Sequence, residues 1–467
     1  MTTHGIIGRK NEQKRLQNLY HSGKSEFIAI YGRRRVGKTF LIRQLFENEF
    51  VFDIAGLANA HTKEQLVNFT LSLNRVTKTP DKTANNWLLA FEQLILLVKN
   101  SPKERKVIFI DEISWLDTPR SGFLTALEHF WNGWACSRSD VMLIVCGSAT
   151  SWVMNKLINN HGGLHNRLTA NIYLQPFTLC ETELYLQHCD YSRRDIAECY
   201  MIMGGIPYYL SKIDSSLSVA QNIDNIFFKE NAELKNEFHN LYASLFKNCT
   251  DYIKIVEALS IKTKGLSRKE IERAAGLSSG GGLTTTLKDL EYCGFIRSYN
   301  TFGKRKYEHL YQLLDAYTLF YFKYLSKNEY NDTAFWTNSL NTPQHNAWAG
   351  YAFEMLVLQH IAEIKQALGI SGIQSAVSAW KCNTAQIDLI INRKDGIINL
   401  CEIKFSGNEF VIDKTYEANL RNKIFAFKEE TKTRKAVHLT ILTTYGLAKN
   451  KYSSIAHKEI TLDDLFE

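Results

Sequence analysis

Gly32-Arg33-Arg34-Arg35-Val36-Gly37-Lys38-Thr39 is the stretch on which the reading of this chain turns. Its glycines, lysine and threonine have the spacing that wraps the phosphates of a nucleoside triphosphate. The apolar run Phe27-Ile28-Ala29-Ile30-Tyr31 before it reads as a buried strand, and residues 40–46 after it read as a helix. That is the strand, loop, helix context the motif needs. Gly32 and Gly37 let the backbone turn tightly and aim successive N–H groups at phosphate oxygens, with the positive end of the helix behind them. In this reading Lys38 reaches the β- and γ-phosphates and the Thr39 hydroxyl ligates Mg²⁺. Arg33, Arg34, Arg35, Val36 and Phe40 complete the expected nucleotide-binding segment.

Val107-Ile108-Phe109-Ile110-Asp111-Glu112 is a continuous apolar run ending in two carboxylates, the pattern of a parallel strand covered on both faces. Asp111 is expected to hold the Mg²⁺ shell, and Glu112 to orient and deprotonate the attacking water. A third apolar strand, residues 141–146, leads to Ser148. This serine is either a sensor of the γ-phosphate or the N-cap of a helix beginning near Trp152.

The chain of 467 residues is long enough for about three domains. With 45% hydrophobic and 22% charged residues, it has a globular composition. The net charge of +8 is a mild bias toward an anionic partner, nucleic acid first. Nine cysteines without a C-x-x-C pair argue against a disulfide framework and a zinc ribbon, and fit a reducing cytoplasm. Residues 1–10 lack a signal-peptide core and no apolar run reaches about 18 residues, so a membrane span is not expected. Residues 88–98 read as a core helix.

Strands alternate with helices up to about residue 178, the pattern of a parallel α/β sheet. Residues 179–248 read as a helical lid subdomain, interrupted by Gly204-Gly205-Ile206-Pro207. Residues 249–328 read as a winged helix-turn-helix. Ser267 and Glu270 form a capping box, Gly276 ends that helix, residues 283–292 form the next, and a β-hairpin follows. A DNA-binding role would put Thr284, Thr285, Thr286 and Lys288 in a groove and Lys304-Arg305-Lys306 on phosphate. The plainer reading is a regulatory lever whose basic wing is merely solvated.

Residues 329–467 form another α/β unit. A helix from about Trp348 to Lys365 carries Glu354, and strands follow at 376–382, 385–392 and 397–405. The turn Lys394-Asp395-Gly396 closes an antiparallel hairpin. A turn centred on Asp395 sets Asp388 opposite Glu402, where directly opposed Cβ atoms lie about 4.5–5.5 Å apart. Two carboxylates there repel unless a cation sits between them, and Lys404 projects from the same face. The expectation is a site for Mg²⁺ or Mn²⁺ at Asp388 and Glu402 with Lys404 beside it, against an ion pair of Lys404 with one carboxylate. Glu-x-Lys recurs five times elsewhere, but only Glu402 to Lys404 lies in an apolar strand paired with an Asp-bearing strand.

Asp388, Glu402 and Lys404, with Glu354 on the preceding helix, resemble the PD-(D/E)XK nuclease superfamily, whose core is α-β-β-β-α-β. The helix at 413–430 and the strand at 437–443 would supply its remaining elements. Ile387 stands where that family's name has proline. The N-terminal part resembles the archaeal-type STAND and AAA+ P-loop ATPases. Residues 7–12, with Gly8 and Arg9, look like that group's leading box, which implies adenine contact and hence ATP. Gly205-Ile206-Pro207 is similar to its G-x-P element, and Arg167 lies where an arginine finger would sit. The resemblance implies an ATP-hydrolysing switch coupled to a metal-dependent nuclease-like domain acting on nucleic acid, DNA favoured. The alternative is a nucleotide-gated DNA-binding regulator with a non-cutting nuclease fold. A homo-oligomer and a regulatory protein partner both stay open.

Overall fold

The computed structural model describes residues 5–78, 82–159, 162–246, 248–262, 264–303, 309–328 and 332–467. They form two compact units, residues 1–176 and 177–467.

The first unit is built on five parallel strands: β1 (Glu26–Tyr31), β2 (Phe50–Ala55), β3 (Lys106–Asp111), β4 (Val141–Gly147) and β5 (Ala170–Tyr173). Their order is β2-β3-β4-β1-β5. β3 and β4 are buried along their whole length, as their unbroken apolar runs require. The expected core helix spans Trp87–Asn100 and buries Trp87, Ala90, Phe91, Leu94, Ile95 and Val98. Asn86 caps it by accepting from the Leu89 N–H at 3.0 Å. β4 lies between β1 and β3, so the residues that follow all three strands emerge side by side at one edge. In open parallel sheets this edge is where ligands bind.

In the second unit, the expected helical segment holds helices at Leu179–Tyr185, Arg193–Met203 and Glu237–Leu245 with shorter turns between. A helix at Cys249–Ile261 is followed by β6 (Leu266–Ser267) and a helix at Arg268–Ala275. Ser267 and Glu270 make the reciprocal capping box, and Gly276 ends the helix at φ 63°. The next helix spans Gly281–Tyr292, two residues longer at its start than the sequence indicates, because Gly280 lets the chain turn in earlier. β7 (Ile296–Asn300) and β8 (His309–Leu313) close a small antiparallel sheet ordered β6-β8-β7. Lys304, Arg305 and Lys306 lie outside the described residues.

The helix expected from Trp348 to Lys365 is two helices, Pro343–Gln359 and Ile361–Ala367, broken at His360. The break has a hydrogen-bonding reason. Burial lowers the pKa of His360 and keeps its ring neutral, so Nδ1–H donates to the Leu356 carbonyl at 2.7 Å. Nε2 then accepts from the Leu179 N–H at 3.1 Å. A five-stranded sheet follows: β9 (Ser375–Lys381), β10 (Gln386–Arg393), β11 (Ile397–Lys404), β12 (Ala436–Thr443) and β13 (Lys458–Ile460), in the order β13-β12-β11-β10-β9. The sequence pattern does not reveal β13, whose three residues are too short to show a period. The helix Lys414–Thr431 crosses from β11 to β12, which run parallel. Among the described residues no helix is long and apolar enough to cross a membrane. All nine cysteines are free thiols.

Gly205 sits at φ 65°, and a Cβ there would stand 2.3 Å from the Phe177 carbonyl oxygen and 2.7 Å from the Tyr200 ring. Gly205→Ala combines left-handed strain with that collision. It should destabilise the second unit by about 1–3 kcal/mol in urea unfolding, whereas an unchanged midpoint would contradict this packing.

Candidate nucleotide site and a carboxylate–lysine centre

The loop after β1 is held in an unusual backbone path. Gly32 has φ 140°, Arg35 φ 71° and Gly37 φ 92°. A side chain at Gly32 would meet the Leu174 carbonyl oxygen at 2.3 Å, so β5 needs this glycine as much as the loop does. Lys38 is buried and its Nζ donates to the Gly32 and Arg33 carbonyls, each at 2.9 Å. The amine is thus stored inside the loop at the mouth of the helix Lys38–Phe46. Arg9, itself at φ 54°, is buried and donates from Nη2 to the Val36 carbonyl at 3.4 Å, joining the leading segment to the loop. Gly8 turns at φ 62° and its carbonyl accepts from Gln13 at 2.7 Å. Val36 and Arg33 are buried, Arg34 and Arg35 half-buried, and Phe40 exposed.

The Thr39 hydroxyl donates to Asp111 Oδ2 at 2.7 Å. These two hard oxygen groups, side by side at the end of β3, suit Mg²⁺. Glu112 follows at φ 44°, a conformation that costs a non-glycine residue energy and is typical of functional sites. Its Oε2 accepts from the Ser148 hydroxyl at 2.8 Å and the Ser148 N–H at 3.2 Å. Ser148 is not the side-chain cap of the following helix, which spans Thr150–Val153 with Ala149 at its cap. Its hydroxyl is committed to Glu112, because β4 brings it between the loop and β3. Arg167 is exposed, after β4 and before β5. Pro207 opens a one-turn helix in the second unit.

The site defines the class, a P-loop nucleotide-binding domain, and the comparisons agree. Residues 7–213 match the family model described as an ATPase domain predominantly from Archaea. An uncharacterized protein of Methanocaldococcus jannaschii is 25% identical over 406 residues, 86% of this chain and 87% of its own length. An uncharacterized ATP-binding protein of the same organism is 44% identical over 44 residues, 9% of this chain and 75% of its own. Among solved structures, a Walker-type ATPase of Pyrococcus abyssi aligns with TM-score 0.48 at 16% identity, covering 68% of this chain and 96% of that one. The ORC2 protein of Aeropyrum pernix, in ADPNP–ADP complexes, aligns with TM-score 0.41 at 15% identity, covering 68% and 93%. The N-terminal part of this chain is therefore an archaeal-type P-loop ATPase domain.

A second constellation lies in the C-terminal sheet. The β10–β11 ladder runs from Asn392↔Ile398 to Leu389↔Cys401, and one step further sets Asp388 opposite Glu402, the register that the Asp395 turn implies. The β9–β10 register shifts between Ile387 and Ile390, so Asp388 sits in an irregularity that re-aims its side chain. Gln386 donates to Asp388 Oδ1. Glu402 is buried and heavily bonded: Tyr416 donates to Oε1 at 2.7 Å, Lys423 to Oε2 at 2.8 Å, and Lys404 Nζ lies 3.2 Å from Oε1. Burial works to raise this carboxyl, but the charges of Lys423 and Lys404 and the two hydrogen bonds outweigh it and hold its pKa low. Glu354 behaves oppositely. Burial and the charge of Asp388 push it up to about 8, against the Gln312 hydrogen bond and the positive charges of Arg297 and Lys264.

Asp388, Glu402, Lys404 and Glu354 are thus gathered at one end of this sheet, but Glu402 is already paired with lysines and Asp388 with Gln386. Among the described residues no group of three histidine, cysteine or acidic side chains is arranged to hold a metal ion. As arranged, the donor set does not fit a divalent cation. Sequence reading misses Lys423, Tyr416, Arg297 and Gln312. Tyr416 and Lys423 are seven apart on one helix, two turns along one face, which is the one signal that could have linked them.

Lys38→Ala should abolish ATP binding in calorimetry. Glu112→Gln should keep binding while turnover falls by about 10²–10⁴-fold, since only proton abstraction is lost. ATP binding by Lys38→Ala at parental affinity would refute this geometry.

Proposed function

We propose that the chain is an ATP-hydrolysing switch that controls a nuclease-like C-terminal domain acting on nucleic acid, with DNA favoured. The observation that carries this reading is the convergence of Lys38, Thr39, Asp111, Glu112 and Ser148 at one sheet edge, in a chain that also carries Asp388, Glu402 and Lys404. In this reading Lys38 exchanges its loop carbonyls for phosphate oxygens. Thr39 and Asp111 would hold Mg²⁺, which neutralises phosphate charge when bound. Glu112 accepts a proton from the attacking water once the Ser148 hydroxyl releases it. Arg9 steadies the loop from the adenine side, Pro207 packs toward the base, and Arg167 acts as an arginine finger.

The helices and hairpin at 249–313 read as a winged helix, supported by their order and caps. Thr286 is buried, and the hydroxyls of Thr284, Thr285 and Thr286 lie within bonding distance of carbonyls four residues back. That leaves the exposed Thr285 and Lys288 as the surface for a nucleic acid. A second reading, a DNA-bound regulator whose nuclease fold does not cut, is favoured by the lysine pairing of Glu402.

The two readings separate in one experiment that measures plasmid cleavage and ATP hydrolysis in parallel. Lys404→Ala should stop cutting and leave ATP hydrolysis largely intact. Lys38→Ala should change cutting by about 5–150-fold, the range of a typical coupling between distant sites. Absence of cutting by the parent with Mg²⁺ or Mn²⁺, with and without ATP, selects the non-cutting regulator. Equal cutting by the parent and Lys38→Ala would leave two independent domains.

A further inference from the structure

Glu354 and Asp388 are like charges held close enough for each to affect the other's ionisation. Such a pair persists in a folded protein when a cation stands beside it. Here the cation comes from the other sheet of the unit. Arg297 on β7 lies directly opposite Gln312 on β8. Its Nε and Nη2 donate to Gln312 Oε1 at 2.9 and 2.6 Å, and Gln312 Nε2 donates onward to Glu354 Oε1 at 3.4 Å. The guanidinium lies 4.8 Å from the Tyr299 ring centroid. Burial lowers the Arg297 pKa, and Tyr299, Glu354, Tyr351 and Asp388 act against that shift. An arginine keeps its charge regardless.

The strand that carries Arg297 is also clamped to the C-terminal sheet. Thr301 bridges Ala379 on β9, the edge strand beside β10. The Phe302 N–H donates to the Ala379 carbonyl at 2.7 Å, and the Phe302 ring packs 5.1 Å from the Phe427 ring. Backbone pairing and an aromatic contact therefore hold the hairpin where its arginine meets the acidic pair.

We infer that Arg297 is the built-in counter-ion of Glu354 and Asp388, and that the β7–β8 hairpin thereby closes this centre to divalent cations until it moves. The inference rests on the nuclease-like reading of the centre. It accounts for the misfit of the donor set described above: the chain's own cations stand where a metal ion would be needed. Arg297 and a divalent ion then compete for the same carboxylates, and whatever displaces the hairpin opens the site.

The test is Mn²⁺ binding to the nucleotide-free full-length chain, read by calorimetry and electron paramagnetic resonance, with circular dichroism as a check of folding. Arg297→Gln should bind one more Mn²⁺ per chain than the parent, and the extra ion should vanish in Arg297→Gln/Asp388→Asn. Arg297→Lys should behave as the parent. Phe302→Ala, which loosens the clamp without touching a charge, should tighten Mn²⁺ uptake at least tenfold, and it decides the question if Arg297→Gln does not fold. The inference is overturned if the parent loses a bound Mn²⁺ on Asp388→Asn, because the site is then open with Arg297 in place. It is equally overturned if folded Arg297→Gln, or Phe302→Ala in its stead, gains none. An extra Mn²⁺ without any plasmid cleavage upholds the guard and sinks the cutting reading. Equal cleavage by all variants, with unchanged Mn²⁺ binding, upholds cutting and sinks the guard.

Discussion

The close passage of Gly32 under the Leu174 carbonyl is the constraint on which the nucleotide site depends. The segment after β5 is tied to β1 through the Leu174 N–H, which donates to the Tyr31 carbonyl at 2.8 Å. No side chain fits between them. The loop that follows must therefore leave β1 in a glycine-only conformation and turn at once into the helix Lys38–Phe46. The phosphate-facing N–H groups and the position of Lys38 follow from that turn.

Neighbouring groups are kept apart or engaged by what they hydrogen-bond to. Lys38 rests on loop carbonyls, Thr39 on Asp111, and Glu112 on Ser148. Each polar group a nucleotide would recruit already has a partner, so the site keeps its shape without leaving buried polar groups unsatisfied. Binding exchanges these contacts for others, a smaller change than building the site anew. Glu112, in a strained backbone conformation and bonded to a strand two places away from the loop, couples the water-activating group to the far side of the sheet edge.

The C-terminal centre shows the same economy with charges. Glu402 stays ionised because two lysines and a tyrosine hold it, while Glu354 is driven toward its neutral form by burial and Asp388. Two carboxylates with opposite shifts in one small region mark an electrostatically tuned site. Its tuning is done by residues from three different elements, the helix Lys414–Thr431, the helix Pro343–Gln359 and the β7–β8 hairpin.

The sequence alone determined the strand, loop and helix around Gly32 to Thr39, the apolar strand ending at Asp111, and the hairpin register that sets Asp388 against Glu402. These are local. Hydrophobic period, turn chemistry and capping residues act between positions close along the chain, so one sequence carries them. The capping box at Ser267 and Glu270 was legible for the same reason. Tertiary structure alone decided that β4 lies between β1 and β3, which turned Ser148 from a helix cap into the partner of Glu112. It decided that His360 would break a helix to bond the Leu179 N–H. It also decided that Lys423 and Arg297 would bring their charges to Glu402 and to the Glu354–Asp388 pair. These partners sit far apart in sequence on elements whose own patterns are satisfied without them. A counter-ion is chosen by where packed elements meet, and periodicity along the chain does not encode that meeting.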